Sequence, residues 1–295
     1  MRDCGCVPTI PFLHGVNMLK AEYVDVIVKK KNEVLKELGY RETVIRDEIF
    51  KLLRQKSRVI FYPLDEEPDL DGFHITRCLN GEMTAFVYIN TAKNFEKNIF
   101  CAAHELGHIY EIEKEIENKF SNAHFNSKDV DEIMNRFAAE LLMPYEHFKT
   151  KFNELLKLHS EGNSIKVSNF LKVIVALMDY YYVPYKAVVW RLWEIDFLTL
   201  AGREKFEKIE EEDSDIINVF IYEGKYTRLR HPSRIKSFEN LPEYLKFAEH
   251  NCVYGNRKIA EMRRDFGIDI SVSEEKMEAV ENNELDANDI KEEYV

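Results

Sequence analysis

Apolar residues recur at helical spacing through the first part of the chain. Residues 19–40 (LKAEYVDVIVKKKNEVLKELGY) and 42–57 (ETVIRDEIFKLLRQKS) predict two helices, the first ending at Gly39, after an irregular leader over residues 1–17. RVIFYPL and TAFVYIN, rich in β-branched and aromatic residues, then predict two strands separated by an acidic loop, DEEPDLDG. A turn from Asn90 to Lys97 leads into a third helix.

This third helix contains FCAAHELGHIY, residues 100–110, and carries the most informative polar residues of the chain. Because a helix repeats every 3.6 residues, His104 and His108 project from one face and can bind one ion, while Glu105 is offset by one position. The surrounding residues are small or apolar, which predicts a buried helix. Gly107 costs about 1 kcal/mol relative to alanine inside a helix, so its presence indicates that another element approaches the backbone closely.

A catalytic zinc site needs three protein ligands and one open position for water, and the two histidines supply only two ligands. The third is expected from the next predicted helix, DVDEIMNRFAAELLMP, residues 129–144, which ends at Pro144. Its helical phase places Asp131 and Asn135 on the stripe that packs against the helix of His104 and His108, and Glu132 on a largely polar stripe. We therefore predict Asp131 as the ligand, with Glu132 as the substitute, and Asn135 as a hydrogen-bonding partner of the ligands.

The ordered set FCAAHELGH, a variable stretch and then NRFAAELLMP resembles the ImmA/IrrE family of zinc metallo-endopeptidases over about residues 84–148. The resemblance implies a zincin-like fold, a zinc ion held by His104, His108 and Asp131, and Glu105 as the general base. Asp131 stands where the family usually has glutamate, so the helices lie closer together or the metal is held less tightly. In this mechanism the zinc ion lowers the pKa of its water from about 15.7 to about 7, and Glu105 takes the proton.

The resemblance also implies a regulatory protein substrate, typically a helix-turn-helix transcriptional repressor, rather than bulk digestion. No oxyanion-stabilising residue is assigned from the sequence. Four residues are suitable by type, and each is also an ordinary surface or packing residue: Tyr110, His124, Tyr145 and His147. His74 and Cys78 are likewise unassigned.

After Pro144, residues 167–198 predict two helices around a Tyr-rich turn at Tyr180–Pro184, the outline of a helix-turn-helix. Its second helix carries only Lys186 and Arg191 as basic residues, which favours a helical pair packed on the core over a DNA-reading unit. GREKFEKIEEEDSD, residues 202–215, predicts a charged linker or exposed helix, and IINVFIY, residues 216–222, a strand. Helices are predicted around residues 241–267.

The expected fold is α+β. It comprises a zincin-like core of a small sheet, the HExxH helix and a second ligand-bearing helix, then a helix-turn-helix-like segment and a small C-terminal α/β unit. The predicted segments are an irregular leader at 1–17, a peptidase domain at 18–152, a helical segment at 153–201, a small domain at 216–270 and a disordered acidic tail at 271–295.

Composition restricts the partners. The formal net charge is −12, and residues 271–295 hold nine acidic side chains against two lysines, a net of −7. An acidic protein is repelled by phosphates, so nucleic acid is not an expected partner. The five scattered cysteines predict no disulfide framework, and no apolar run reaches membrane-spanning length, so the cytoplasm is the expected location and a membrane is not an expected partner.

Three functions remain open from the sequence. The first is a zinc-dependent endopeptidase that cleaves a protein such as a repressor. The second is a zinc-stabilised sensor or scaffold that binds a repressor without cleaving it, and the third is a DNA-binding regulator. Glu105 separates the first two, because a purely structural site has no use for a base beside an open coordination position.

Overall fold

The computed structural model describes residues 19–79, 81–160, 165–212 and 214–268. The predicted leader and the predicted acidic tail lie outside these ranges. The described chain is a mixed α+β structure with a small sheet and many helices. It forms two compact units, one ending at Ile235 and one beginning at Lys236, and each is described by itself.

The first of the two helices predicted at the start of the described chain is present, and the second is shorter than the predicted residues 42–57. Helix α1 spans Ala21–Glu37 and buries Val26, Ile27 and Val34. Gly39 follows with a φ of +68°, a left-handed conformation that glycine adopts without a Cβ penalty, so the predicted stop is confirmed. A short 3₁₀ turn then leads into helix α2, Ile49–Arg54.

The sheet of the first unit contains one strand that the sequence analysis did not identify. The strands are β1 (Ser57–Tyr62), β2 (Gly72–Leu79) and β3 (Glu82–Asn90), in the spatial order β2-β3-β1. Strand β3 is central: β2 pairs with β3 in the antiparallel direction, and β1 pairs with β3 in the parallel direction. Strand β2 lies at the edge of the sheet and much of it is exposed, and its alternation of apolar residues at Phe73 and Ile75 is interrupted by Arg77.

Two long helices of this unit carry the candidate ligands. They are α3 (Phe95–Ile109) and α5 (Ser127–Leu142), with a short helix α4 (Ile112–Lys119) between them that the sequence analysis did not predict. Helix α5 begins with a capping box: the Asn126 side chain accepts from the backbone N–H of Asp129, whose carboxylate accepts from the N–H of Asn126. This cap fixes the first turn, residues 127–130, and Asp131 follows directly after it.

The remaining helices of the first unit pack on one another and on the core. The predicted pair around the Tyr-rich turn is present as α7 and α8. The charged stretch near residue 202 forms a helix, α9, that buries Phe206 and is therefore not a linker. The helices are α6 (Tyr145–His159), α7 (Val167–Tyr181), α8 (Tyr185–Glu194), α9 (Leu200–Glu212) and α10 (Ser214–Glu223).

The strand predicted for IINVFIY is wrong, because residues 214–223 form helix α10. Ile217 is fully buried, and Phe220 and Ile221 pack against the same core. Positions i, i+3 and i+4 lie on one face of a helix, so this packing outweighs the strand preference of the β-branched residues. Helix α10 accordingly lies in the first unit, whereas the sequence analysis began the small C-terminal domain at residue 216.

The second unit contains a two-residue strand and two helices. They are β4 (Ser237–Phe238), α11 (Leu241–His250) and α12 (Asn256–Asp265). Its small core is formed by Leu241, Leu245, Ala248 and Ile259. No helix in the described ranges combines the length and the apolar character needed to cross a bilayer.

Candidate metal centre

Helix α3 is buried on nearly every side, and α5 packs directly against it. A Cβ added to Gly107 of α3 would lie 2.8 Å from Met134 Sδ and 3.0 Å from Phe137 Cδ1 of α5. The close approach predicted from this glycine is therefore present, and α5 is the element that approaches. It brings Asp131 and Asn135 to the level of the two histidines.

Replacing Gly107 with alanine is expected to lower the free energy of unfolding. Overpacking of a close-packed core costs typically about 1–3 kcal/mol, which the gain in helix propensity of about 1 kcal/mol only partly offsets. Urea denaturation of the purified variant measures the difference. If Gly107→Ala were instead more stable by about 1 kcal/mol, the close contact between α3 and α5 would be absent.

The structure brings together all four residues that the sequence analysis placed at the site. One ligand atom from each of His104, His108 and Asp131 lies within 4.8 Å of those of the other two. His104 and Glu105 are both 2% exposed, while His108 and Asp131 are partly exposed. The cluster is therefore open on the side of His108 and Asp131, and a substrate could reach it from there.

The donor set fits a zinc ion. The Nε2 atoms of His104 and His108 are 3.1 Å apart, and two nitrogens that bind one zinc at 2.0–2.1 Å in tetrahedral geometry lie about 3.3 Å apart. Burial lowers the pKa of His108 to about 2, with smaller contributions from His104 and His74, so its imidazole is neutral, as a ligand must be. Burial also raises the pKa of Asp131; His104 opposes this shift and Glu105 adds to it.

Asn135 makes the predicted hydrogen bond to the ligand cluster. Its Oδ1 lies 2.9 Å from His104 Nδ1, and because a carbonyl oxygen only accepts, Nδ1 carries the hydrogen and Nε2 presents its lone pair to the cluster. Glu132, the substitute ligand, belongs to no group of three potential ligands among the described residues. The arrangement therefore favours Asp131 over Glu132 as the third ligand.

His74 also lies at the site, and the sequence analysis did not assign it. Its Nδ1 is 2.8 Å from Glu105 Oε2, and its ring stacks on that of His108 with centroids 4.8 Å apart. His74, Glu105 and His108 form a second group of potential ligands that shares His108 with the first. No local signal identifies His74, because its position depends on the pairing of β2 with β3.

The four residues considered for an oxyanion-stabilising role have other surroundings. His147 Nδ1 lies 2.8 Å from the hydroxyl of Tyr181, and the His147 ring stacks on Tyr180. His124 is exposed, Tyr110 lies under the Lys56 ammonium, and Tyr145 lies near the guanidinium of Arg191. These contacts provide no support for any of the four as an oxyanion donor.

A buried ionic cluster fastens α5 to α8. The Arg191 side chain is 0% exposed, and its Nη1 donates to Glu140 Oε1 at 2.9 Å and to Glu194 Oε2 at 2.8 Å. Its Nε donates to the carbonyl oxygen of Met143 at 3.0 Å, and Arg136 bonds both carboxylates from the other side. The sequence analysis interpreted the face of α5 that carries Glu132 as largely polar, but at Glu140 this face is buried. Arg136 and Arg191 neutralise the carboxylates of Glu140 and Glu194 there.

Comparison with known proteins identifies one part of the chain. Residues 54–192 match the model of the family described as Peptidase_M78, the IrrE N-terminal-like domain. A search of the curated proteins found no match. Among solved structures, a Mycobacterium tuberculosis transcriptional regulator aligns with 16% identity and a TM-score of 0.35 over 58% of this chain and half of that one. A likeness this low carries no argument about function.

Proposed function

Because residues 54–192 are an IrrE N-terminal-like domain of the Peptidase_M78 family, we propose that the protein is a zinc-dependent endopeptidase. The observation that carries the proposal is the cluster of His104, His108 and Asp131, with Glu105 buried beside it. His104, His108 and Asp131 hold the ion. A bound zinc ion supplies a water of lowered pKa and polarises the substrate carbonyl.

In the proposed reaction, Glu105 accepts a proton from the water that attacks the peptide carbonyl carbon. A bond forms between the water oxygen and that carbon, and Glu105 then passes the proton to the amine nitrogen as the C–N bond breaks. The burial of Glu105 keeps bulk water away from this proton transfer. Asn135 holds the His104 ring in the orientation that directs Nε2 toward the ligand cluster.

The proposed substrate is a regulatory protein such as a helix-turn-helix transcriptional repressor. This part of the proposal rests on the family of the domain, and the surface of α8 bears on the DNA-binding alternative. Most side chains of α8 are buried, including Arg191, one of only two basic residues on that helix. A recognition helix must expose several basic or polar side chains to the major groove, so the DNA-binding alternative is disfavoured.

One observation favours the sensor alternative. In the second group, His74, Glu105 and His108, the carboxylate that acts as base in the peptidase is itself a potential ligand. An ion held there would occupy the base, and the protein would bind metal without hydrolysing a peptide. The two functions therefore differ in which three side chains determine metal affinity.

Metal analysis of ligand variants tests the proposal. Asp131→Ala is expected to lower zinc affinity at least 100-fold, because one of three protein ligands is lost, while Glu132→Ala on the same turn leaves it unchanged. Zinc content is measured by mass spectrometry and affinity by competition with a chromogenic chelator. Loss of zinc in Glu132→Ala with retention in Asp131→Ala would show that α5 presents a different face.

Cleavage is measured in parallel on a library of peptides and on candidate repressor proteins. The wild-type protein is expected to hydrolyse peptide bonds, to lose activity with a chelator and to regain it on addition of zinc. A zinc-loaded protein that cleaves none of these substrates would favour the sensor. A metal-free protein whose cleavage is indifferent to chelators would contradict both zinc-dependent functions.

A further inference from the structure

Strand β2 runs along the candidate metal centre in a register fixed by Gly72. A Cβ on Gly72 would lie 2.5 Å from the carbonyl oxygen of Tyr88 and 2.6 Å from Cys101 Sγ, so only glycine allows β2 to lie this close to α3. Two residues along a strand advance about 6.7 Å, and four residues along a helix advance about 6 Å. His74, two residues after Gly72, therefore faces Glu105, one turn after Cys101.

The contact between His74 and Glu105 has the geometry of a hydrogen bond. His74 Nδ1 and Glu105 Oε2 are 2.8 Å apart, the usual distance for an N–H donor and a charged oxygen. Since an ionised carboxylate only accepts, Nδ1 carries the hydrogen and the Nε2 of a neutral ring is left as an acceptor. The side chain of Glu105 is 3% exposed and that of His74 is 31% exposed, so the bond reaches from the open edge strand into the buried base.

The same distance argues against Nδ1 of His74 and Oε2 of Glu105 as joint metal ligands. Two atoms that bind one zinc at about 2.0–2.2 Å in tetrahedral geometry lie about 3.3 Å apart or more, well beyond 2.8 Å. The two Nε2 atoms of His104 and His108, at 3.1 Å, come closer to that spacing. A direct hydrogen bond accounts for the His74 contact, and an ion bound by both of these atoms would have to separate them.

We propose that His74 is a positioning residue for the general base. It holds Oε2 of Glu105 through its Nδ1–H, so that the carboxylate keeps one orientation and Oε1 is presented as the proton acceptor. This inference rests on the proposed peptidase function and adds to it a residue from outside the HExxH helix. A base that is already oriented loses less freedom in the transition state, so His74 acts on kcat and not on substrate binding.

Three variants on one face of β2 test the proposal. In His74→Asn the amide Nδ2 stands close to the position of the imidazole Nδ1 and can still donate to Glu105. In His74→Leu the side chain still fills part of the space of the imidazole but has no hydrogen-bond donor for Glu105. Thr76→Val is the matched control, because Thr76 follows on the same face of the strand and is exposed.

All three variants are expected to bind zinc with the affinity of the wild-type protein in chelator competition. His74→Leu is expected to lower kcat about 10- to 100-fold, the usual effect of removing an outer-shell partner, with KM within about twofold. His74→Asn should recover kcat to within about threefold of the wild type, and Thr76→Val should match the wild type. If His74 had a purely structural role, kcat would not differ between His74→Asn and His74→Leu in this way.

A measurement independent of activity follows the hydrogen bond itself. In ¹⁵N NMR of the zinc-loaded protein, His74 is expected to show the tautomer protonated at Nδ1, and Glu105→Ala should remove this preference. Loss of zinc in His74→Leu would overturn the proposal by making His74 a ligand. Equal kcat in all variants, or no recovery in His74→Asn, would also overturn it.

The failure of this inference can be distinguished from the failure of the proposed function. If the zinc-loaded wild-type protein cleaves nothing while His74 shows the Nδ1–H tautomer, the peptidase function is wrong, and the positioning role is overturned with it although the contact exists. If the wild type cleaves and His74→Leu cleaves equally well, only the positioning role is overturned.

Discussion

Replacing Glu105 with glutamine is expected to lower kcat by about 10² to 10⁴-fold, the usual contribution of a general acid and base. Glutamine keeps the shape of the side chain and an oxygen for His74, but it cannot accept the proton of the attacking water. Zinc content, thermal stability and KM should remain those of the wild type. The effect is measured on the peptide that the wild-type protein cleaves fastest.

The control for this prediction is Glu111→Gln, the same substitution at an exposed position just beyond the C-terminal end of α3. It removes one negative charge near the helix without touching the cluster, and kcat should stay within about twofold of the wild type. Cleavage by Glu105→Gln at the wild-type rate would contradict the assignment of the base. Loss of zinc in Glu105→Gln would instead indicate that the second ligand group binds the ion.

Replacing Arg191 with methionine is expected to cost about 3–5 kcal/mol of unfolding free energy, the usual cost of breaking a buried ion pair. The side chain of Arg191 is 0% exposed, and its loss leaves Glu140 and Glu194 to share their ion pairs with Arg136. It also removes the donor to the Met143 carbonyl at the C-terminal end of α5. Urea denaturation at neutral pH measures the loss.

Two further variants make this prediction specific. Lys186→Met removes a positive charge from the same helix at a less buried pair and is expected to cost less than about 1 kcal/mol. The double variant Arg191→Met with Glu140→Leu leaves Arg136 paired with Glu194, so the buried charge is balanced again and most of the stability should return. A double variant as unstable as the single one would show that packing, and not charge, sets the cost.

The same cluster predicts how stability changes in acid. Burial by itself raises the pKa of Glu140, but the charges and hydrogen bonds of Arg191 and Arg136 outweigh it and leave the pKa below its ordinary value. A carboxyl group whose pKa is lower in the folded state stabilises the protein above its unfolded pKa, and this contribution is lost as the pH falls through the folded pKa. The cost of Arg191→Met should therefore shrink below about pH 4.5.

These predictions connect metal binding to the packing of the surrounding helices. Helix α5 presents Asp131 and Asn135 to α3 on one face, and on another face it contacts Arg191 of α8 through Glu140. The first turn of α5 is set by its capping box, and its last turn by the bond from Arg191 to Met143. Polar contacts therefore hold both ends of α5, the helix that supplies the third candidate ligand.

The parts of the fold that follow from local periodicity were predicted from the sequence. Helices α1, α3, α5, α7 and α8 and strands β1 and β3 lie where the pattern of apolar residues placed them. The strand predicted for IINVFIY was wrong because Ile217, Phe220 and Ile221 form one apolar face of α10. Their packing against the core outweighs the strand propensity of the segment, although only Ile217 is fully buried. Strand β2 was missed because its alternation of apolar residues is short and is interrupted by Arg77 on an exposed edge strand.

The sequence by itself determined how the candidate residues are arranged on α3 and α5: the i, i+4 spacing of His104 and His108, the offset of Glu105, and the phase that separates Asp131 from Glu132. Each of these depends only on the 3.6-residue repeat of one helix. Only the tertiary structure decided that His74 reaches Glu105 and that Arg191 is buried between carboxylates instead of facing a nucleic acid. Both contacts join residues 31 or more positions apart, and such contacts depend on which elements pack together, which no local pattern encodes.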